Sequence, residues 1–288
     1  MTAVGINRET SNIVLPHEVS SEIWAKTLEE SAVMQLARRM TLPGAGVEIQ
    51  TITGEPVANW VSETAKKPVS EPSFGSKTMR GYTMAVILPF SNQFRRDKER
   101  LYEEIVARAP YALGAKLDKT VFGGDAAPGQ YFDTLANATA VSIATDTWGG
   151  LVTADATIAA ADGILDGWAI SPQAKAMLLT AKDTTGRPLF VNSMVTDGAV
   201  PSLMGQRTTI KKSVYKAGSP NQLGFAGDWS SAVYGVVEDI STSISDQATL
   251  TINDEQVNLW ERNMFAVRFE FEVGFRVKDP AHFVKLTD

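Results

Sequence analysis

The stretch "MFAVRFEFEVGFRVKD", Met264 to Asp279, decides how this chain is read. Phe265, Val267, Phe269, Phe271, Val273, Phe275 and Val277 occupy every second position. Ala266, Arg268, Glu270, Glu272, Gly274, Arg276 and Lys278 fill the places between. Strict alternation is the mark of a strand with one apolar face and one polar face. At ~3.3 Å per residue the run spans roughly 46 Å, about twice the length of a common strand. A greasy face of that length needs an equally long apolar partner.

The partner is written in "SNQFRRDKERLYEEIVARAPYALGAKLDKTVFGG", Ser91 to Gly124. Leu101, Ile105, Ala109, Ala112, Leu113, Leu117 and Val121 follow helical spacing. Ser91 is the expected N-cap, and Gly123–Gly124 the stop. Pro110 lies inside, where it removes one backbone bond and should bend the rod. From Ser91 to Val121 the helix would run about 46 Å at ~1.5 Å per residue, matching the strand. The expected core therefore sets Phe265, Phe269, Phe271 and Phe275 against Leu101, Ile105, Leu113 and Leu117, each large side chain contributing roughly 1.5–3 kcal/mol. Strand and helix are about 140 residues apart, so the segment between them reads as an inserted domain.

Working outward, residues 1–12 read as an arm, and "LPHEVSSEIWAKTLEESAVMQLARRM" as a helix from His17 to Met40 with a break near Glu30–Ser31. "LPGAG", Leu42 to Gly46, stops it. "VEIQTITGEPVANWVSE" and "SKTMRGYTMAVILPF" are rich in Thr, Val, Ile and aromatics and read as two long strand arms. Pro68, Pro72 and Gly75 interrupt regular structure between them, which makes a hairpin with a polar tip. In the insertion, Thr153 to Gly167 reads as an alanine-rich helix. "SPQAKAMLLTAKD" reads as another, with Ser171 as N-cap and Pro172 in its first turn. "QRTTIKKSVY", "QLGFAGDWSSAVYGVVEDI" and "ISDQATL" read as short strands or turns.

Composition narrows the function. The 288 residues are 44% hydrophobic and 21% charged, ordinary for a folded protein. A net charge of −6 offers no basic footprint for gripping nucleic acid. There is no cysteine, which excludes disulfides, thiol catalysis and thiolate metal sites. The N-terminus lacks the apolar core of a signal peptide, and no run reaches the ~18 apolar residues of a membrane span. The only histidines, His17 and His282, stand near opposite ends; with an acid they could complete a zinc site, but they read as surface or core histidines. Phosphate-loop and dinucleotide glycine motifs are absent, as is the G-x-S-x-G elbow. Glu270 and Glu272 lie ~7 Å apart on one strand face, but Arg268 and Arg276 share it, so it reads as a polar outer surface. No catalytic constellation and no cofactor site is expected.

The order of elements and several segments resemble the tailed-bacteriophage major capsid proteins of the Hong Kong 97-type fold. The likeness is carried by "SAVMQLAR" (Ser31 to Arg38), "ITGEPVANWVSETAKKPVSEPSFGSK" (Ile52 to Lys77) and "AVILPFSNQFRRD" (Ala85 to Asp97). "VFGG" with "APG" (Val121 to Gly129), "GRPLF" (Gly186 to Phe190) and "LWERNMFAVRFEFEVGFRVKDPAHFVKL" (Leu259 to Leu286) add to it. The resemblance implies an α+β fold with an N-terminal arm and helix over residues 1–45 and an extended hairpin loop over 46–90. It further implies a peripheral domain over 91–140 and 262–288, holding the spine helix and long strands, and an inserted axial domain over 141–261.

The same resemblance implies a structural subunit of an icosahedral virion, associating with itself as pentamers and hexamers around double-stranded DNA, without membrane or sequence-specific contacts. The arm starts almost at Met1, so the long cleaved assembly domain of many relatives is expected to be missing or already removed. A separate scaffolding protein, a portal and decoration proteins are then the implied partners. In the hairpin, Lys66 and Lys67, between Glu63 and Glu71, are expected to meet acidic groups of an adjacent subunit. Trp60 reads either as an interface anchor or as a core tryptophan. Some relatives crosslink a lysine to an asparagine. Asn258 and Asn263 are present here, but the required acid matches no pattern, and no crosslink is expected. Encapsulins, cellular shells of the same fold, are the alternative, although their N-terminal helix pattern finds no match. A monomeric hydrolase is a third reading.

Overall fold

The computed structural model describes residues 25–27, 29–54, 58–64, 66–69, 73–93, 98–182, 185, 186, 189, 202–252 and 254–288. The expected arm and the first part of the expected N-terminal helix lie outside them. Residues 25–27 and 29–30 are helical, and Ser31 interrupts the helix near the expected break. Its side chain caps a new short helix, α1 (Ala32–Leu36). The expectation of helix up to Met40 is corrected: Arg38–Thr41 is a strand, β1, paired in parallel with a strand nearly 200 residues later. That pairing is tertiary and overrides the helical propensity of the arginines.

β2 (Val47–Gly54) and β3 (Ser73–Met79) form the hairpin, and β4 (Tyr82–Ser91) follows. Gly75, expected to interrupt structure, sits within β3 opposite Thr51. Ser91 is not a helix cap but the last residue of β4, opposite Met264. The spine helix, α2, spans Lys98–Val121 with Pro110 inside it. Next come β5 (Thr139–Ser142), α3 (Thr147–Ala160), β6 (Gly167–Ile170) and α4 (Pro172–Thr180). The alanine-rich helix thus starts six residues before the expected Thr153, because Asp146 caps it by accepting from Gly149 N–H. α4 begins as its sequence dictates: Ser171 Oγ accepts from Ala174 N at 3.2 Å, and Pro172 opens the first turn.

β7 (Ser202–Leu203), β8 (Gln206–Ile210) and β9 (Gln222–Gly227) are short. β10 (Ala232–Ser245) is not: it runs 14 residues, against the expectation of short strands there. The hairpin β11 (Thr249–Ile252) and β12 (Glu255–Asn258) precedes β13 (Met264–Val277), and β14 (Phe283–Thr287) closes the chain.

One sheet has the order β1-β10-β13-β4, and another β5-β14-β9-β6-β8-β7. The segment 141–261 is therefore not confined to one layer. β10 leaves it to pair with β13, while β14, from the far end of the chain, enters the six-stranded sheet.

Along β13 the odd-numbered residues Phe265 to Val277 are at most 1% exposed. Val86, Leu88 and Phe90 of β4 oppose Phe269, Val267 and Phe265, and the Phe90 and Phe265 rings stack at 5.7 Å. α2 packs over β4 and β13, and its Ala109, Leu113, Leu117 and Val121 share one buried cluster with the phenylalanines. The side chains of Leu101 and Ile105 lie outside the described part of the helix. The same cluster continues into the six-stranded sheet, where Phe122 stacks on Phe225 at 5.0 Å and Trp229 meets Phe283 edge-on. The other face of that sheet packs on α3 and α4 through Leu151, Ile158, Trp168 and Leu178. Among the described residues no helix is long and apolar enough to cross a membrane.

Candidate assembly interface

The polar face of β13 is not the uniformly wet surface that its charges suggest. Alternate residues of a strand face opposite sides, so Gly274 points away from the spine helix, as does its cross-strand partner Gly235 of β10. Over this pair lies the root of the hairpin. A Cβ on Gly274 would sit 2.6 Å from the Arg80 carbonyl oxygen, and one on Gly235 would sit 2.6 Å from Met79 Cε. Two opposed glycines thus flatten the sheet where the chain crosses it. Leu42, Met79 and Val233 bury themselves there, with Val47 and Ile49 beside them.

Charged side chains fix the crossing. Arg276 Nε donates to the Thr78 carbonyl at 2.8 Å, its Nη1 to Asp133 Oδ1, and its Nη2 to the Gln130 carbonyl at 3.3 Å. Asp133 Oδ2 accepts from Val277 N at 3.1 Å. Lys77 Nζ donates to the carbonyls of Val277 (2.9 Å) and Lys278 (3.0 Å). Arg80 lies over the Tyr131 ring, 4.6 Å from its centre. One end of the hairpin is therefore built into the body.

The other end carries the residues singled out from sequence. Trp60 is 103% exposed and Val69 83% exposed. Glu63, Lys66 and Lys67 are exposed, and among the described residues none of the three has an ion-pair partner. Glu71 lies outside the described residues. Of the two readings left for Trp60, burial in this chain's own core is excluded.

Sequence reasoning passed over Asp118. It sits on α2 one turn beyond Gly114, fully buried. A Cβ on Gly114 would lie 3.2 Å from Ser31 N, so the glycine lets the N-terminal segment approach the spine closely. Asp118 then accepts from Ser31 Oγ (2.7 Å), Ala32 N (2.9 Å), Val33 N (3.2 Å) and Ser213 Oγ (2.7 Å). Burial pushes its carboxyl above the usual carboxylate range, outweighing these four bonds, which favour the charged form. The available signal was an acid inside the apolar stretch "GAKLDKTV". Among the described residues no group of three or more His, Cys, Asp or Glu side chains is placed to hold a metal.

A plate of two sheets sharing one core around a spine helix, with a hairpin rooted on its back, is the Hong Kong 97-type α+β fold. The sequence profile of the phage capsid family matches residues 11–288. The chain belongs to the phage capsid family. It is similar to the probable major capsid protein gp17 of Mycobacterium phage L5, 29% identical over 95% of this chain and 89% of that one. It is also similar to the major capsid protein of Staphylococcus phage 80alpha, 24% identical over 96% and 86%. Among solved structures, a chain from Mycobacterium phage Bobi superposes with a TM-score of 0.73, at 24% identity over 90% of each chain. The capsid of the native GTA particle gives 0.64, at 16% identity over 98% of this chain and 93% of that one. The chain is a bacteriophage major capsid protein, a structural component of the virion.

Proposed function

We propose that copies of this chain form pentamers and hexamers that close into an icosahedral shell around a double-stranded DNA genome. The observation that carries this reading is the hairpin tip: Trp60 and Val69 stand in solvent at the end of a ribbon whose root is fixed to the body. Aromatic side chains held clear of their own core act as anchors in a neighbour's surface. Lys66 and Lys67 meet acidic groups on that neighbour's peripheral domain. Exposed ion pairs contribute only about 0–1 kcal/mol, so they set register while Trp60 supplies affinity.

In this reading residues 91–140 and 262–288 make up the peripheral domain, joined by β10 and lending β14 to the axial sheet, and the rest of 141–261 forms the axial domain around the symmetry axes. Heterologous contacts that close into rings suit such a plate. A net charge of −6 suits a container that holds DNA without reading it. The subunit is made in the host bacterial cytoplasm, and scaffolding, portal and decoration proteins are its remaining partners. Electron microscopy of the purified protein is expected to show closed shells or their capsomers. A lone 31.1 kDa species under every assembly condition overturns the reading. A cargo enzyme in place of DNA inside native particles points to the encapsulin alternative.

A further inference from the structure

At the hairpin root, on the sheet face away from the spine helix, lies a cleft of about 300 Å³. Arg38, Lys77, Arg276 and Lys278 line it, over an apolar floor that includes Ile49 and Val233. No carboxylate belongs to its lining, although the whole chain carries a net charge of −6. Arg276 and Lys77 are spent on fixing the hairpin root. Arg38 and Lys278 are exposed, and among the described residues neither has an ion-pair partner. Two free cations above two bound ones, around an apolar floor, make a receptor for a peptide turn that carries two carboxylates.

We infer that this cleft binds the acidic turn Asp254–Glu255 of a second copy of the chain, an inference that rests on the shell-subunit reading. Asp254 lies in the turn of the β11–β12 hairpin and Glu255 opens β12, in a two-stranded unit outside both larger sheets. Both acids are exposed, Asp254 in the left-handed region at φ 65°, and Glu255 makes a long ion pair with Arg262, 4.0 Å, between two exposed side chains that a partner can displace. Among the described residues the two other adjacent acid pairs hold shorter ion pairs: Asp239, beside Glu238, meets Arg39 at 3.2 Å, and the half-buried Glu30, beside Glu29, meets Lys211 at 3.5 Å.

The geometry makes the contact intermolecular. The acidic turn adjoins the Met264 end of β13, while Val277 and Lys278 at its other end line the cleft. About 46 Å of extended strand separates the two. Complementary patches at opposite ends of a stiff plate cannot meet within one molecule. Between copies they give a head-to-tail contact, the heterologous kind that builds rings or arrays.

Charge reversal with rescue tests this. Arg38→Glu with Lys278→Glu, and separately Asp254→Lys with Glu255→Lys, are each expected to cut particle yield about tenfold or more relative to wild type. All four changes together are expected to restore most of the yield. Yield is read by sedimentation and electron microscopy, with thermal unfolding of the unassembled chains to confirm that each variant folds. Wild-type yield from either double variant, or a quadruple variant no better than the doubles, overturns the inference. Failure of wild type itself to form particles would count against the shell reading, which keeps the two failures apart.

Discussion

Ser31 Oγ donates a 2.7 Å hydrogen bond to Asp118 Oδ1, joining residues 87 positions apart inside a site closed to solvent. The same carboxylate caps the first turn of α1 through Ala32 and Val33 and holds Ser213 from the segment after β8. One buried acid thus ties three parts of the chain to the spine.

Asp118→Ala strands buried N–H and O–H donors, each costing about 1–3 kcal/mol when left without an acceptor. Denaturant unfolding of the unassembled chain is expected to show a loss of roughly 3 kcal/mol or more. The acid's titration has a definite sign. Its folded pKa is raised above the ordinary 3.8, so its contribution is greatest below that ordinary value and is lost as pH rises through the folded value. The stability gap between wild type and Asp118→Asn, followed from about pH 4 to about pH 7, should therefore be wider on the acid side.

The two opposed glycines should respond unequally to alanine. At Gly274 the new methyl meets a backbone carbonyl, that of Arg80, which cannot move without shifting the hairpin. At Gly235 it meets the end of the flexible Met79 side chain. Gly274→Ala is expected to cost about 2 kcal/mol or more, and Gly235→Ala about 1 kcal/mol. Melting temperatures of the two variants decide it, and equal losses would contradict the crossing described.

Arg276 holds the Thr78 carbonyl and Asp133 together. Arg276→Met keeps the apolar stem but leaves Asp133 without its cation, at a cost of about 3 kcal/mol. Hydrogen exchange should accelerate over residues 73–79, at the hairpin root, before it does in β13. Arg276→Lys should not restore protection, since a single ammonium does not reproduce the guanidinium fork.

Trp60→Ala should leave the unassembled chain's melting temperature within about 1 °C of wild type, because the side chain touches no core. Assembly is where it is expected to fail. Particle counts by electron microscopy should fall sharply, and Lys66→Glu with Lys67→Glu should lower them further in low salt than in high salt.

Much of this fold was legible locally. The alternation from Phe265 to Val277 fixes which face of β13 is buried, since side chains along a strand change sides at every residue. The spacing of Ala109, Leu113, Leu117 and Val121 does the same for α2, and Ser171–Pro172 marks the start of α4. β10 hid its length for two reasons. Ala232 to Val236 is buried on both faces, so it shows no alternation. Register shifts between Val236 and Glu238, and again before Ser241, break the period in its second half.

Of the candidate interface, the sequence marked the hairpin tip, because unusual residues between two strand arms stand out in one dimension. The root of the hairpin, the Asp118 site and the basic cleft were decided only by folding. Arg38 meets Arg276 and Lys278 because β1 lies beside β10 and β10 beside β13. Ser31 finds Asp118 because Gly114 clears the space. Local periodicity records which face of an element avoids water. Which distant element covers that face depends on chain crossings that leave no periodic trace.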